Sequence, residues 1–291
     1  MTASEDRATD PEILRYAAFT HRGAGGNPAG VVLDASLLSD ATMLGIAADL
    51  GYSETAFVVG ARGPTELDVR YFSPLAEVPF CGHATIATAV ALAERSGPGD
   101  YLFHTPAGEI ALRTSTSPDG TVLATLTSVL THTRPATASE LDRSLAALGW
   151  TREQLDPRYP PHVAFGGNDH LVLALTERAT LAALDYDFNA LAALMTEVGW
   201  ITVHVVWAES RTVFHARDPF PPGGVVEDPA TGAAAAAFGG YLRDLGRVQP
   251  GESVTILQGF DHGTPSQLLV VPEASGRVRV TGTATRLGAR Q

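Results

Sequence analysis

Short apolar runs, alternating or continuous, dominate the chain, and most are bounded by Gly, Pro, Asn, Asp or Ser. Alternation over about four to eight residues is the mark of a half-buried strand, and a continuous β-branched run is the mark of a strand buried on both faces. The pattern predicts strands over Ile13–Thr20, Gly30–Asp34, Thr55–Val59 and Leu67–Phe72, a hairpin through FHTPAGEIALR from Phe103, and a strand TVLATLTS from Thr121. Between them SDATMLGIAADLG spaces its apolar residues at helical intervals, with Ser39 placed to cap the first turn.

After THTRPATAS the pattern starts again with a helix SELDRSLAALGW, strands PHVAFGG and HLVLALT, a helix FNALAALMTEVG, and strands ITVHVVW and TVFHARD. The strands SVTILQG, SQLLVVP and RVRVTGT complete it. A boundary near Ser128–Thr137 therefore divides the chain into an N-terminal half, 12–130, and a C-terminal half, 131–277, with the last strand (about 278–291) crossing back onto the first half. Alternating βαβ units are not evident, which argues against a Rossmann-type sheet.

Two Ala-rich segments interrupt the strands: PFCGHATIATAVALAERSG from Pro79, and EDPATGAAAAAFGGYLRDLG from Glu227. Each reads as a polar residue, a small-residue and glycine turn (Cys81-Gly82, Thr231-Gly232), and a helix apolar around most of its circumference. A surface helix would need far more charge, so each is expected to be enclosed by sheet. The fold class is α/β (α+β): two pseudo-symmetric halves, each a β-shell around one central helix. Free N–H groups at two such helix starts, with the positive ends of the helix dipoles, could face each other across a cleft and hold a small carboxylate.

Composition narrows the chemistry. A chain of 291 residues with 45% hydrophobic content can bury a large core, and a net charge of -12 with no arginine-rich stripe argues against nucleic acid as a partner. The single cysteine, Cys81, excludes disulfides and multi-cysteine metal sites, and no HExxH spacing is present, so no metal is expected. All 20 cationic side chains are arginine; with no lysine, a pyridoxal phosphate Schiff base, a P-loop and a lysine aldolase are all excluded. The polar start, residues 1–11, reads as disordered and unlike a leader, and no apolar run approaches a membrane span, so a cytoplasmic protein with a small-molecule ligand is expected.

The segment GAGGNPAG, Gly23–Gly30, lacks GxGxxG spacing and leads into a strand, so it reads as a structural turn from which Asn27 alone can reach a ligand. Glu54, next to Ser53, stands at the edge of an apolar strand, where a carboxylate can exchange a proton with a substrate; spacing alone equally fits an exposed loop glutamate. His83 lies in the first turn of its helix, where the positive helix end favours a neutral ring. Cys81 in the same turn is expected to be a more acidic thiol than usual for that reason, or else a small buried hydrophobe. Asp228, three residues before Thr231, can orient a turn or a ligand. His104, His162, His204 and His215 read as structural or surface residues.

The ordered phrases GNPAGVVL, SETAFV, FSPLAEVPFCGHAT, EDPATGAAAAA and QGFDHGTPSQLLV resemble the phenazine-biosynthesis isomerase (PhzF-like) family from about Ile13 to Leu287. The resemblance implies the diaminopimelate-epimerase fold, chemistry without a cofactor, and a homodimer. It places the family's catalytic glutamate on Glu54, its histidine on His83 and its aspartate on Asp228, with Asn27, Ser53, Cys81, Gly82, Thr231, Gly232 and Ala233 around the substrate. Two positions depart from the family wording: Ala233 stands for serine and Thr264 for arginine, so a substrate carboxylate would be held differently. Cys81 also matches the first catalytic cysteine of the related epimerases and of proline racemase, with Thr231 in place of the second, a combination resembling the trans-3-hydroxyproline dehydratases.

The expected function is thus a cofactor-independent isomerase that shifts a C=C bond by proton transfer in a small cyclic carboxylate of secondary metabolism. A dihydroanthranilate-like ring or an alkylproline (pyrroline) antibiotic precursor suits it. The alternatives are a Cys81-dependent epimerase or hydroxyproline-type dehydratase, and a non-catalytic binding protein on the same fold.

Overall fold

A computed structural model describes residues 11–288. The stretch 1–11 expected to be disordered lies outside the described residues except for Pro11. In the first half, the strands Leu14–Ala18, Asn27–Val32, Glu54–Ala61, Glu66–Phe72, Asp100–Thr105, Gly108–Thr116 and Val122–Thr127 are hydrogen-bonded side by side, and Val278–Arg286 closes them into a ring. The second half continues from that same strand through Ser266–Pro272, Val254–Gln258, Val213–Arg217, Trp200–Ala208, Asp169–Leu175 and His162–Phe165 to His132–Pro135.

Val278–Arg286 belongs to both halves because it is long enough to pair in two registers. Thr281 to Val278 pair with Leu269 to Pro272, whereas Ala284 to Arg286 pair with Ala18 to Tyr16. Its opposite edge pairs with Val122–Thr127.

The pairing pattern repeats, and it corrects one expectation from the sequence. Asn27–Val32 and Glu54–Ala61 are parallel and bracket the helix Asp40–Leu50, while Glu66–Phe72 and Asp100–Thr105 are parallel and bracket the helix Gly82–Ser96. In the second half Asp169–Leu175 and Trp200–Ala208 bracket Phe188–Val198, and Val213–Arg217 and Val254–Gln258 bracket Gly232–Asp244. Crossover units are therefore present in each half, interleaved with antiparallel pairs that hide the alternation in the sequence. The THTRPATAS stretch also contributes a strand, His132–Pro135; Arg134 and Pro135 masked its pairing potential.

Both Ala-rich helices are enclosed. His83 to Ala91 are all buried in the first, and Ala234 to Leu242 in the second, where the small side chains let strands approach the helix closely. A Cβ on Gly166 would lie 2.5 Å from the Ala237 nitrogen and 2.6 Å from the Ala233 carbonyl oxygen. One apolar cluster joins the two interiors, with Ile86 and Val90 on one helix and Phe238 and Tyr241 on the other.

Outer helices explain the continuous apolar strands. In Asp169–Leu175, Val172 and Ala174 face the inner cluster while Leu171, Leu173 and Leu175 pack under Leu145, Leu191 and Leu194 of the outer helices Ala138–Leu148 and Phe188–Val198. Ser39 does cap Asp40–Leu50, accepting from the Thr42 N–H.

Candidate active site

The two central helices begin against each other. A Cβ built on Gly82 would lie 4.0 Å from the Gly232 Cα, and the N-cap residues Cys81 and Thr231 both leave their helices without a side-chain cap bond. Two sets of first-turn N–H groups therefore converge on one region at the junction of the halves.

Side chains from both halves meet there. Glu54 opens the strand Glu54–Ala61 and reaches inward: Oε2 accepts from the Cys81 thiol at 3.4 Å and lies 3.5 Å from His83 Nε2. His83 Nε2 is 3.3 Å from the Ser53 hydroxyl, and Nδ1 is 3.3 Å from both Cys81 Sγ and Asn27 Nδ2. Asn27, on the first residue of Asn27–Val32, spans the junction by donating to Asp228 Oδ1 at 2.7 Å and to the Ala230 carbonyl at 3.2 Å. The Thr231 hydroxyl donates to Asp228 Oδ2 at 2.6 Å.

The turn carrying Asn27 behaves as a structural element. Gly26 has φ 84°, and a Cβ there would stand 2.6 Å from the Ala18 carbonyl oxygen. Ala233 is the second residue of its helix, the place His83 holds in the first, and it offers no polar group. Thr264 closes a turn: its hydroxyl is 2.9 Å from His262 Nδ1, and its N–H donates to the Gly259 carbonyl at 3.0 Å.

Burial sets the protonation states. It lowers the His83 pKa against the opposing pull of the Glu54 carboxylate, so the ring is neutral; the helix end named from sequence is not the dominant cause. Burial also pushes the Cys81 thiol well up, reinforced by the charge of Glu54, while a bond from the Ala84 N–H offsets only part of this. That corrects the expectation of an acidified thiol: desolvation outweighs the helix end. Asp228 is pushed up to about 7, mainly by burial and further by the charges of Asp218 and Glu54, against the bonds from Thr231 and Asn27.

The family model described as phenazine biosynthesis-like protein matches residues 16–289. The chain belongs to this family. A Pseudomonas chlororaphis relative named trans-2,3-dihydro-3-hydroxyanthranilate isomerase is 31% identical over 275 residues, covering 93% of this chain and 95% of its own. The solved structure of a Bacillus anthracis PhzF-family protein aligns with a TM-score of 0.84 at 23% identity, over 95% of this chain and 96% of the other. A hydroxyproline epimerase from Agrobacterium vitis aligns at TM-score 0.62 and 14% identity over 95% and 90% of the two chains, a likeness of fold. The architecture is the diaminopimelate-epimerase-like fold, and this PhzF-like chain is an isomerase.

Two polar groups of this PhzF-like site escaped the sequence reading. Gln258, fully buried, ties the Asp228 turn to its helix: Oε1 accepts from the Thr231 N–H, and Nε2 donates to the Asp228 carbonyl at 2.8 Å and to the Thr231 hydroxyl. Asp218 accepts the Asp228 N–H on its carbonyl and is held by His204 Nδ1 at 2.9 Å and the Thr202 hydroxyl at 3.1 Å, all fully buried. The available signal was alternation, which puts His170, Thr202 and His204 on inward positions of otherwise apolar strands. His204, read as structural or surface, is interior; His170 joins it through Thr202 at 2.8 Å, and burial lowers the His170 pKa to about 3. None of the described helices is long and apolar enough to cross a membrane.

Proposed function

We propose that this isomerase shifts a C=C bond by proton transfer in a small cyclic carboxylate without a cofactor, Glu54 taking the proton from one carbon and returning it to another. The observation that supports this reading is the convergence of Glu54, His83 and Asp228 from separate elements on the facing helix starts. Neutral His83 can accept or donate a hydrogen bond without competing for the charge on Glu54. Asp228, with a pKa near 7, can supply a proton to a polar substituent at neutral pH.

The substrate carboxylate is placed against the N–H groups near Gly82–His83 or Gly232–Ala233, donors that persist although Ala233 lacks a hydroxyl. The site then lies between a half formed by 12–130 with the strand from about 278 and a half formed by 131–277, in a cytoplasmic homodimer serving secondary metabolism. Dihydroanthranilate and alkylproline (pyrroline) antibiotic precursors are the two ring classes to test.

The contact of Cys81 with Glu54 supports a second reading, a thiol-dependent epimerase or dehydratase; the raised thiol pKa argues against it. Proton NMR in D₂O with both ring classes separates the two. The isomerase reading expects migration of the double bond, deuterium at the new sp³ carbon unless the Glu54 carboxyl proton is shielded from solvent during transfer, loss of turnover in Glu54→Gln, and turnover retained in Cys81→Ala. The opposite pattern, Cys81→Ala inactive and Glu54→Gln near wild type, would replace it with the thiol enzyme.

A further inference from the structure

Asp218 is a buried carboxyl to which the proton-transfer reading gives no task, and its hydrogen-bond partners fix its charge. Its two oxygens lie 2.9 and 3.0 Å from His204 Nδ1, and the Thr202 hydroxyl stands 3.1 Å from Oδ1 and 2.8 Å from His170 Nδ1. All four side chains are fully buried. Among the described residues neither His170 Nε2 nor His204 Nε2 has a partner, so each ring hydrogen belongs on Nδ1, where a partner stands. Thr202 then accepts from His170 and donates to Asp218, and His204 donates to Asp218 as well. A protonated Asp218 would have to reverse this chain and strand the His170 hydrogen on a nitrogen with nothing to receive it.

Asp218 is also a backbone neighbour of Asp228. The antiparallel ribbon of Pro219–Phe220 and Val225–Glu227 pairs Pro219 with Glu227, and one step further the Asp228 N–H donates to the Asp218 carbonyl at 3.0 Å. Carboxyls on facing strands of such a ribbon repel when both are ionised. The donors decide which of the two keeps a proton: the Thr231 hydroxyl beside Asp228 can turn and accept, so Asp228 carries a proton without losing a partner. We propose that Asp218 is a positioning residue of the isomerase: its buried charge, fixed by His204 and Thr202, helps to keep on Asp228 the proton that the substrate receives.

Burial is the larger cause of the raised Asp228 pKa, and the charges of Asp218 and Glu54 add to it. Asp218 has no exposed surface, so it acts through Asp228 and not on the substrate. Over one cycle Asp228 gives its proton to a polar substituent as Glu54 takes one from carbon, then recovers it as Glu54 returns its own, so no proton is gained or lost. Use of that proton rests on the reading of Asp228 as an acid; the coupling of the two carboxyls does not. The other titratable groups facing Asp228 are Glu54, Cys81 and, through Asn27, His83, while the Arg217–Glu227 ion pair with His262 runs alongside.

Carbon-13 NMR of the side-chain carboxyls in the labelled full-length chain tests the coupling without a substrate, Asp228 being assigned by the signal that Asp228→Asn removes. The Asp228 signal should titrate at about 7 in the wild type. Asp218→Asn should move that midpoint down by about one pH unit. Thr202→Val, of the same shape but without the hydroxyl that donates to Asp218, should move it down by less, and is the variant to read if Asp218→Asn does not fold.

An unchanged midpoint in the folded variants, even with lowered stability, overturns the proposal, as does a wild type in which Asp218 and not Asp228 titrates near neutrality. With whichever of the two ring classes is turned over, the alkaline limb of the kcat profile should move down with the midpoint. A midpoint that moves while this limb stays would keep the coupling of the carboxyls and refute proton supply by Asp228, so the two failures are distinguishable.

Discussion

Replacing Asp228 by asparagine should change the pH dependence of stability in a way that requires no substrate to observe. In the fold this carboxyl titrates near 7 against an ordinary value of 3.8, chiefly because it is buried. A tenfold change in proton affinity is worth about 1.4 kcal/mol, so the rise from the ordinary value amounts to about 4 kcal/mol. The folded pKa is raised, so the folded protein holds a proton on Asp228 that the unfolded chain releases. The group's contribution is fully present below about pH 4 and is lost as the pH rises through about 7.

Asparagine mimics the protonated acid, keeping an acceptor for Asn27 and presenting a donor toward Thr231. Any packing offset is independent of pH and cancels from the slope. Urea unfolding followed by tryptophan fluorescence from pH 4 to 8.5 should show the wild type losing about 1.4 kcal/mol per pH unit relative to Asp228→Asn, levelling off above about pH 7. A wild-type minus variant difference constant to within about 1 kcal/mol over that range would refute a buried, proton-holding Asp228.

Glu54→Gln should lower turnover by about two to four orders of magnitude with little change in substrate binding, measured by steady-state kinetics and calorimetry; near-wild-type turnover refutes its role. Gly166→Ala should destabilise by about 1–3 kcal/mol because its Cβ would meet the backbone of the second central helix at 2.5 Å. Gly45→Ala, on an exposed helix position with nothing within 4 Å, should stabilise by about 0.5–1 kcal/mol in the same denaturation assay. Arg217→Met should cost about 3–5 kcal/mol by leaving the buried Glu227 carboxylate without its ion-pair partner, and equal stability would show that His262 suffices.

The sequence alone determined the features that depend on local periodicity. The Ser39 cap, the limits of Ser266–Pro272, and the two helices apolar on every side were legible because each rests on a few adjacent residues. The enclosed helices in turn implied shells of sheet. Parallel pairing was not legible: whether neighbouring strands run together or opposed depends on the crossover between them, and both kinds satisfy the same alternation.

Burial energies belong to the tertiary structure as well. Cys81 stands at a helix start, which by itself acidifies a thiol, yet enclosure beside Glu54 raises it. Asp228, read as orienting a turn or a ligand, became a group titrating near neutrality once burial took its water, with the charges of Asp218 and Glu54 adding to the rise. Gln258 and His204, unremarkable in their strands, became partners of the site only when the second shell closed on its helix. Local pattern decides which residues form an element. Only the packed fold decides which charges lose their water, and that loss sets the chemistry at this junction.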